Sequence, residues 1–223
     1  MPAVLPSDFS PLWLTLEIAS FATLITAVLG TVVARILLHR NLRLRLALEV
    51  FFLCPLVLPP TVIGYGLMIV LGRSGPLNGI FEDGLLFTKT ASVIAAVFVS
   101  FPLMYLSARA SFRSVDKSLT DAARTFGARW FRTLATIQIP LAAQGLLAGV
   151  LLTFGRSLGE FGATLMVAGN IPGHTQTMPI ALFFDVEAGD YSRAMFWSIV
   201  AVVMSGLLIW AINFISETKP LRR

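Results

Sequence analysis

Residues 12–38 read LWLTLEIASFATLITAVLGTVVARILL, an apolar run with two charged side chains, Glu17 and Arg35. A helix needs about 20 mostly apolar residues to cross the roughly 30 Å of hydrocarbon in a bilayer, so this run predicts a membrane span. The composition of the whole chain agrees. Its 223 residues are 56% hydrophobic and only 13% charged, with a mean hydropathy of +0.81, whereas soluble domains carry about 25% charged residues. The sequence therefore predicts an integral membrane protein and excludes a soluble globular domain.

Four further apolar stretches follow the first one. The five predicted spans are 12–38, 46–71, 90–107, 141–168 and 194–215. Their connections are too short for an independent soluble domain, so we expect one all-α membrane domain over residues 1–223. One cysteine and two histidines exclude a disulfide framework and disfavour a histidine-ligated metal site. Glu17 and Glu49 lie near the ends of their spans, where we expect them to reach the interface.

Basic residues cluster on one side of the predicted bundle. They fall in the connections after the first and third spans and in the tail: Arg35, Arg40, Arg43, Arg45, Arg109, Arg113, Lys117, Arg124, Arg129, Arg132, Lys219, Arg222 and Arg223. Cytoplasmic loops carry an excess of Lys and Arg, so we expect the N-terminus outside and the C-terminus in the cytoplasm. The same bias explains the net charge of +5 without a nucleic-acid partner.

The long cytoplasmic connection, residues 109–140, has an amphipathic pattern. Apolar residues recur there at spacings of three and four, which predicts a helix, and Ser118 to Asp121 resembles a capping box at its start. Gly127 interrupts the pattern where a helix can end in a left-handed residue. The sequence leaves two interpretations open. The helix lies in the membrane interface, or it docks into a groove of a soluble partner, with the small pair Ala122 and Ala123 permitting close approach.

Polar side chains interrupt the fourth span. Thr153, Ser157, Glu160 and Thr164 follow one another at steps of four, three and four, which places them on one face of a continuous helix, with Arg156 at its border. Charged residues inside a span normally face protein or water. Arg156 and Glu160 are four residues apart and can neutralise each other. The stripe is therefore either a structural ion pair with polar neighbours or the lining of a polar translocation pathway.

Prolines and glycines interrupt the second span. They are Pro55, Pro59, Pro60, Gly64 and Gly66. Proline removes a helical hydrogen bond, and the freed carbonyl is tolerated in lipid only when neighbouring helices or a cavity cover it. We expect a kink here, which is either a packing feature or part of a moving gate.

The cytoplasmic connection resembles the EAA motif of ABC-importer permeases, which reads E-A-A, three spacers, G, nine spacers and I-x-L-P. The matching positions are Asp121, Ala122, Ala123, Gly127, Ile137, Ile139 and Pro140. Asp121 replaces the glutamate and Ile139 replaces the leucine, which preserves charge and apolar character. In this family the loop forms a coupling helix that inserts into a cleft of the cytoplasmic ATPase subunit, and the resemblance implies that role for these residues.

Two further segments resemble the molybdate branch of this family. They are GRSLGEFGATLMVAGNIPGHTQTMP at residues 155–179 and PLVLPPTVIGY at residues 55–65. The resemblance implies a type I ABC-importer permease of the bacterial inner membrane that works as a homodimer. It implies two ATPase subunits, which bind the ATP and Mg²⁺, an extracytoplasmic molybdate-binding protein, and no cofactor or catalytic residue on this chain. Thr153, Arg156, Ser157, Glu160, Thr164, Pro59, Pro60 and Gly64 are the candidate pathway residues.

Four alternatives remain at this point, two of substrate and two of protein class. Sulfate permeases share a similar Gly-Glu-Phe-Gly segment, and tungstate is nearly isosteric with molybdate. A secondary transporter would need ion-coupling acids within the spans and often has inverted repeats, whereas this sequence has one central acid and no repeat. A membrane-embedded enzyme would need a cluster of catalytic groups, and the spans offer only Arg156 and Glu160 near mid-depth.

Overall fold

The computed structural model describes residues 8–73, 75–76 and 84–217, and within these ranges the regular structure is entirely helical. The helices are α1 (Ser10–Leu37), α2 (Leu42–Val57), α3 (Pro60–Leu71), α4 (Lys89–Ser114), α5 (Lys117–Thr125), α6 (Trp130–Thr133), α7 (Ile139–Leu158), α8 (Gly162–Ala168), α9 (Met178–Glu187) and α10 (Tyr191–Glu217). A π-helical turn, Leu134–Gln138, joins α6 to α7. The predicted all-α class is confirmed.

Four helical segments in the described ranges are long and apolar enough to cross a bilayer. They are α1, α4, the segment Trp130–Leu158 that contains α6 and α7, and α10. Helices α2 and α3 meet the same criterion as a pair, with a bend of 115° between them. The described ranges thus contain four candidate spans, or five when the bent pair counts as one.

The packing of α1 on α4 decides how the bent pair is counted. These helices run parallel, because Glu17 near the start of α1 pairs with Lys89 at the start of α4 (2.9 Å), and Thr26 lies 3.5 Å from Ser100 further along. Both helices therefore cross the membrane in the same direction. The chain between them must return to the first side, so α2 and α3 together make one crossing, which gives five crossings within the described residues. Helix α4 is the central element, since α1, α2, α7 and α8 all pack against it.

The second predicted span is more strongly broken than the expected kink. Leu58 and Pro59 have extended backbone (ψ 142° and 135°), because a residue that precedes proline is driven out of the helical region. Pro60 then occupies the first turn of α3, where its missing N–H costs no helical bond. Two consecutive prolines thus separate the span into two helices.

The fourth predicted span, 141–168, is not one helix. It begins earlier, as the helical segment from Trp130, and α7 ends at Leu158. Gly159 and Phe161 leave the helical conformation (φ/ψ −90°/15° and −130°/−62°), and α8 starts at Gly162. The prediction of a single continuous helical face across this span is therefore wrong, because the apolar periodicity runs through a backbone break.

Several basic residues assigned to connections lie inside helices. Arg35 is in the last turn of α1 and only 6% exposed, and α4 extends through Arg109 and Arg113 to Ser114. The connection between the third and fourth predicted spans is consequently shorter than the predicted 109–140. The hydropathy pattern underestimates the length of these helices because the charged residues in their final turns lower the local mean hydropathy.

Glu49, which was expected to reach the interface, is buried within the chain. It is 6% exposed and accepts a hydrogen bond from the Tyr105 hydroxyl (2.8 Å). Its other oxygen lies 3.0 Å from Arg109 Nη1, and Arg45 Nε is 3.8 Å from Oε1. Burying a carboxylate requires such compensation, so this cluster fixes α2 against α4.

Candidate functional site

Helix α5 begins directly after α4, with Val115 extended (ψ 123°). Its N-cap is Asp116, whose carboxylate accepts a hydrogen bond from the Ser118 amide (2.8 Å). Hydrogen bonds from the Ser118 backbone and hydroxyl lower the pKa of Asp116, so the capping charge persists at neutral pH. The predicted capping box from Ser118 to Asp121 is wrong, because the helix starts two residues earlier and Asp121 lies on its second turn.

Gly127 ends α5 as predicted, in a left-handed conformation with φ +79°. The Gly127 amide donates to the Arg124 carbonyl (2.9 Å) and the Ala128 amide to the Ala123 carbonyl (3.0 Å). This pair of bonds is the Schellman motif, in which a residue without Cβ is favoured at the left-handed position. The motif ends α5 and turns the chain, and we call α5, the turn and α6, residues 116–133, the elbow between α4 and α7.

The elbow presents one face of α5 away from the rest of the chain. Thr120 is its buried residue, and Ala122 lies about 200° further around a helix with 3.6 residues per turn. Ala122 and Asp121 are exposed, and Ala123 is half-buried. Phe126 is 91% exposed next to them. An exposed aromatic side chain beside small residues fits a docking face, and the candidate docking residues share it.

The last residues of the motif lie where the elbow meets α7. Ile137 is half-buried and Pro140 is exposed. The Ile139 amide donates to the Leu134 carbonyl, one residue further back than in an α-helix. A proline ring clashes with the carbonyl four residues before it, and the wider π turn immediately before Pro140 leaves room for it.

The two broken spans meet at their breaks. A Cβ on Gly162, the first residue of α8, would lie 3.3 Å from Pro60 Cβ at the start of α3. One turn later, a Cβ on Gly64 would lie 2.7 Å from Met166 Cβ and 2.8 Å from Ala163 Cα. Helices α3 and α8 therefore pack backbone to backbone. We call the contact of these two breaks the junction.

Glu160 lies in the break itself and has two roles in the junction. One carboxylate oxygen accepts a hydrogen bond from the Ala163 amide (2.9 Å) at the start of α8. The other lies 2.9 Å from Arg156 Nη2, so the expected ion pair is present. Glu160 is 4% exposed, whereas the Arg156 side chain is 30% exposed. The carboxylate thus caps α8 and holds a partly exposed guanidinium beside the break.

The other stripe residues are buried within the chain. Thr153, Ser157 and Thr164 are 0%, 5% and 1% exposed, and the Thr153 hydroxyl donates to the Gly149 carbonyl (2.7 Å). Thr153 and Ser157 belong to α7 and Thr164 to α8, on opposite sides of the break. Among the polar residues of the fourth predicted span, Arg156 is therefore the one whose side chain is accessible. Pro59, at the α2–α3 break, is also exposed.

Comparison with known proteins decides the family. Residues 26–218 match the family model of the binding-protein-dependent transport system inner membrane component. The chain belongs to this family. It is a multi-pass permease of the inner membrane, a transport component and not an enzyme.

Curated relatives of the permease are named as molybdenum or sulfate transport permeases. The putative molybdenum transport system permease protein YvgM of Bacillus subtilis is 39% identical, covering 97% of this chain and 99% of its own. The molybdenum transport system permease protein ModB of Escherichia coli K12 is 37% identical over 91% of each chain. A probable sulfate transport system permease protein cysT of Chlorokybus atmophyticus is 32% identical over 97% of this chain and 77% of its own.

Solved structures confirm the fold of the permease as that of type I ABC importers. A bacterial ABC transporter involved in the import of alginate superposes with a TM-score of 0.78 at 14% identity, covering 97% of this chain and 82% of that one. The inward-facing MetNI methionine ABC transporter superposes with a TM-score of 0.75 at 14% identity, covering 94% of this chain and 95% of that one. The expected fold of a type I ABC-importer permease is therefore confirmed.

Sequence reasoning missed one cluster of the permease at the elbow. The Arg35 guanidinium lies 5.7 Å from the centre of the Trp130 ring, and its Nε donates to Gln138 Oε1 (2.7 Å). The available signal was a basic residue within the last turn of an apolar span. Such a residue is buried only when a partner is available, and the partner here, Gln138, is 103 residues away along the chain. Local sequence therefore could not identify it.

The close packing at the junction makes opposite predictions for two neighbouring glycines. We expect Gly64→Ala to destabilise the permease by about 1–3 kcal/mol, because the new methyl group overlaps the α8 backbone. A methyl group on Gly66 would meet no neighbouring atom within 4 Å, so Gly66→Ala should gain about 0.5–1 kcal/mol of helix propensity. Thermal unfolding of the purified variants measures both. Equal shifts of the same sign would contradict the packing described for α3 and α8.

Proposed function

We propose that this permease is the membrane subunit of an ATP-driven molybdate importer. It acts as a homodimer with two cytoplasmic ATPase subunits, which bind ATP and Mg²⁺, and receives its substrate from an extracytoplasmic binding protein. The elbow carries the proposal, since it combines an exposed α5 face with the Gly127 turn at the positions of the coupling motif. The molybdenum transport relatives supply the substrate class.

The coupling role is assigned to Asp121, Ala122, Ala123, Gly127, Ile137 and Pro140. A helix with small residues on its exposed face fits a groove, because the two backbones approach closely. ATP-driven closure of the ATPase dimer would draw the two elbows together and convert the permease from inward- to outward-facing. This topology requires the elbow and the C-terminus in the cytoplasm and the N-terminus outside, as the distribution of basic residues favours.

The translocation pathway is assigned to the junction and the residues around it, Thr153, Arg156, Ser157, Glu160, Thr164, Pro59, Pro60 and Gly64. In transporters, irregular backbone within the membrane lies where helices are interrupted at a substrate path. Two interrupted helices in contact fit that role. The partly exposed Arg156 favours a path for an anion, and its pairing with Glu160 keeps the binding weak enough for release.

Uptake competition tests the substrate assignment. In cells that carry the permease and its partner subunits, we expect excess unlabelled molybdate or tungstate to block uptake of labelled molybdate, whereas sulfate leaves it unchanged. Vanadate, which inhibits ABC ATPases, should abolish the signal. Vanadate-resistant uptake would favour a secondary transporter instead.

Sulfate is the second candidate substrate, supported by the 32% identical probable sulfate permease. Molybdate and sulfate are both tetrahedral dianions, so a permease that binds weakly discriminates little between them. Selectivity would then belong to the binding protein. Equal competition by sulfate in the complete system would overturn the molybdate assignment and favour this candidate.

A further inference from the structure

Among the described residues, three charged side chains are buried: Arg35, Glu49 and Glu160. Glu49 is paired with Arg109 and Glu160 with Arg156. Within the described ranges, no carboxylate lies at ion-pair distance from Arg35. A buried charge normally requires an opposite charge or good hydrogen bonds, so the compensation of Arg35 must come from neutral groups.

Three neutral groups surround the Arg35 guanidinium. Nε donates to Gln138 Oε1 (2.7 Å), Nη1 lies 2.5 Å from His39 Nδ1 and 2.9 Å from Nε2, and the ring of Trp130 is 5.7 Å from the guanidinium carbon. Burial, with the nearby Arg35 charge as the second cause, lowers the pKa of His39, so the imidazole is neutral at pH 7 and can accept a hydrogen bond. Trp130 belongs to the elbow and Gln138 to the π turn that follows it. Arg35 therefore joins the end of α1 to the segment between the docking helix and α7.

The opposite end of α1 contacts a different part of the permease. The Thr15 hydroxyl, 2% exposed, accepts a hydrogen bond from the Met178 amide at the start of α9 (2.7 Å). A helix of 28 residues is about 42 Å long at 1.5 Å per residue. Helix α1 thus reaches from the elbow to α9, across the whole membrane domain.

We propose that Arg35 is a positioning residue that fastens the elbow to α1 and transmits movement of the docking helix through the permease. We call its contacts with Trp130, Gln138 and His39 the clasp. The proposal rests on the proposed docking of an ATPase at α5. Neutral acceptors hold a cation less strongly than a carboxylate does, so the clasp can be released and remade when the elbow moves. A permanent ion pair at this point would resist that movement.

The clasp predicts different effects for two substitutions: one lowers the ratio of uptake to hydrolysis and the other leaves it unchanged. Arg35→Ala disconnects the elbow from α1, so we expect molybdate uptake per ATP hydrolysed to fall about tenfold, a typical coupling free energy, while hydrolysis continues. Gln138→Glu places a carboxylate against Arg35 and strengthens the clasp. We expect uptake and hydrolysis to slow together about fivefold, with an unchanged ratio between them. Both rates are measured on the complete transporter in proteoliposomes with binding protein and molybdate.

Control variants separate the clasp from general destabilisation. Lys89→Ala removes the exposed ion pair with Glu17 near the other end of α1, which contributes little, and should leave both rates unchanged. If Arg35→Ala does not assemble, Gln138→Leu removes the hydrogen-bond acceptor and should lower the ratio in the same direction. A merely structural role would reduce the amount of complex and scale both rates equally in every variant.

The outcomes distinguish the clasp from the function on which it rests. If the wild-type complex hydrolyses ATP without importing molybdate, the proposed function fails. If the wild-type complex imports molybdate but Arg35→Ala and Gln138→Leu both keep its ratio of uptake to hydrolysis, the clasp is overturned. A lowered ratio in Gln138→Glu would also contradict it, since a stronger clasp cannot uncouple.

Discussion

Replacing Ala122 with tryptophan should abolish molybdate uptake and prevent the ATPase subunits from copurifying with the permease. Ala122 is exposed on the face of α5 opposite the buried Thr120, so the indole projects away from the buried side of the helix and the permease should still fold and insert. In a docked complex the same ring would occupy space needed by the groove of the partner. The expected loss is therefore one of assembly, measured by affinity copurification from detergent-solubilised membranes and by uptake in cells.

Ala122→Ser is the matched control for this substitution. Serine occupies the same exposed position with a small side chain, so uptake and copurification should match the wild type. Gly127→Val should resemble the tryptophan variant for a different reason. Its β-branched side chain opposes the left-handed backbone that turns the elbow. Normal copurification of Ala122→Trp would show that this face of α5 binds no ATPase.

The second large effect is expected at Glu160. Glu160→Ala removes the cap of α8 and leaves Arg156 without its counter-ion. Loss of a cap costs about 1 kcal/mol and breaking a buried ion pair about 3–5 kcal/mol. Because Arg156 is partly exposed, we expect a total of about 2–4 kcal/mol. Uptake should fall to background, since the junction between α3 and α8 depends on the start of α8.

Two further variants separate the role of the Glu160 charge from its role as a cap. Glu160→Gln keeps an oxygen for the Ala163 amide but loses the charge, so it should be more stable than Glu160→Ala and still impair transport. Cys54→Ala, at an exposed position outside the junction, should leave uptake and thermal unfolding unchanged. If Glu160→Gln and Cys54→Ala were equally active, Glu160 would serve only to cap α8, and the pathway assignment of its charge would be wrong.

The parts of the fold that depend on local composition could be predicted from the sequence. The apolar stretches are spans because their hydropathy alone makes them insert, and Gly127 ends α5 because a left-handed residue favours glycine at that point. The break at Pro59 was expected for the same kind of reason, although its 115° bend was not. Proline determines that the helix is interrupted, whereas the size of the bend does not follow from the local sequence.

The remaining features depend on contacts between distant residues. Gly159 and Phe161 read as part of an apolar helix, and the break between them is stabilised by Glu160 and by the approach of Pro60 from another span. Glu49 was expected at the interface because its own span shows no partner for it. The side chains that bury it, Tyr105 and Arg109, lie on a different helix. Helical periodicity carries no information about such partners, so the pattern predicted one continuous polar face where the structure has two segments.

The central claim is that the elbow is cytoplasmic and is covered by the ATPase, and cysteine accessibility tests it most directly. Cys54 is the single native cysteine, so Cys54→Ser followed by Ala122→Cys gives one reactive thiol on the exposed face of α5. We predict that a membrane-impermeant maleimide labels it in inside-out vesicles but not in right-side-out ones, and that the ATPase subunits protect it. Labelling in right-side-out vesicles, or equal labelling with and without the ATPase, would contradict the account.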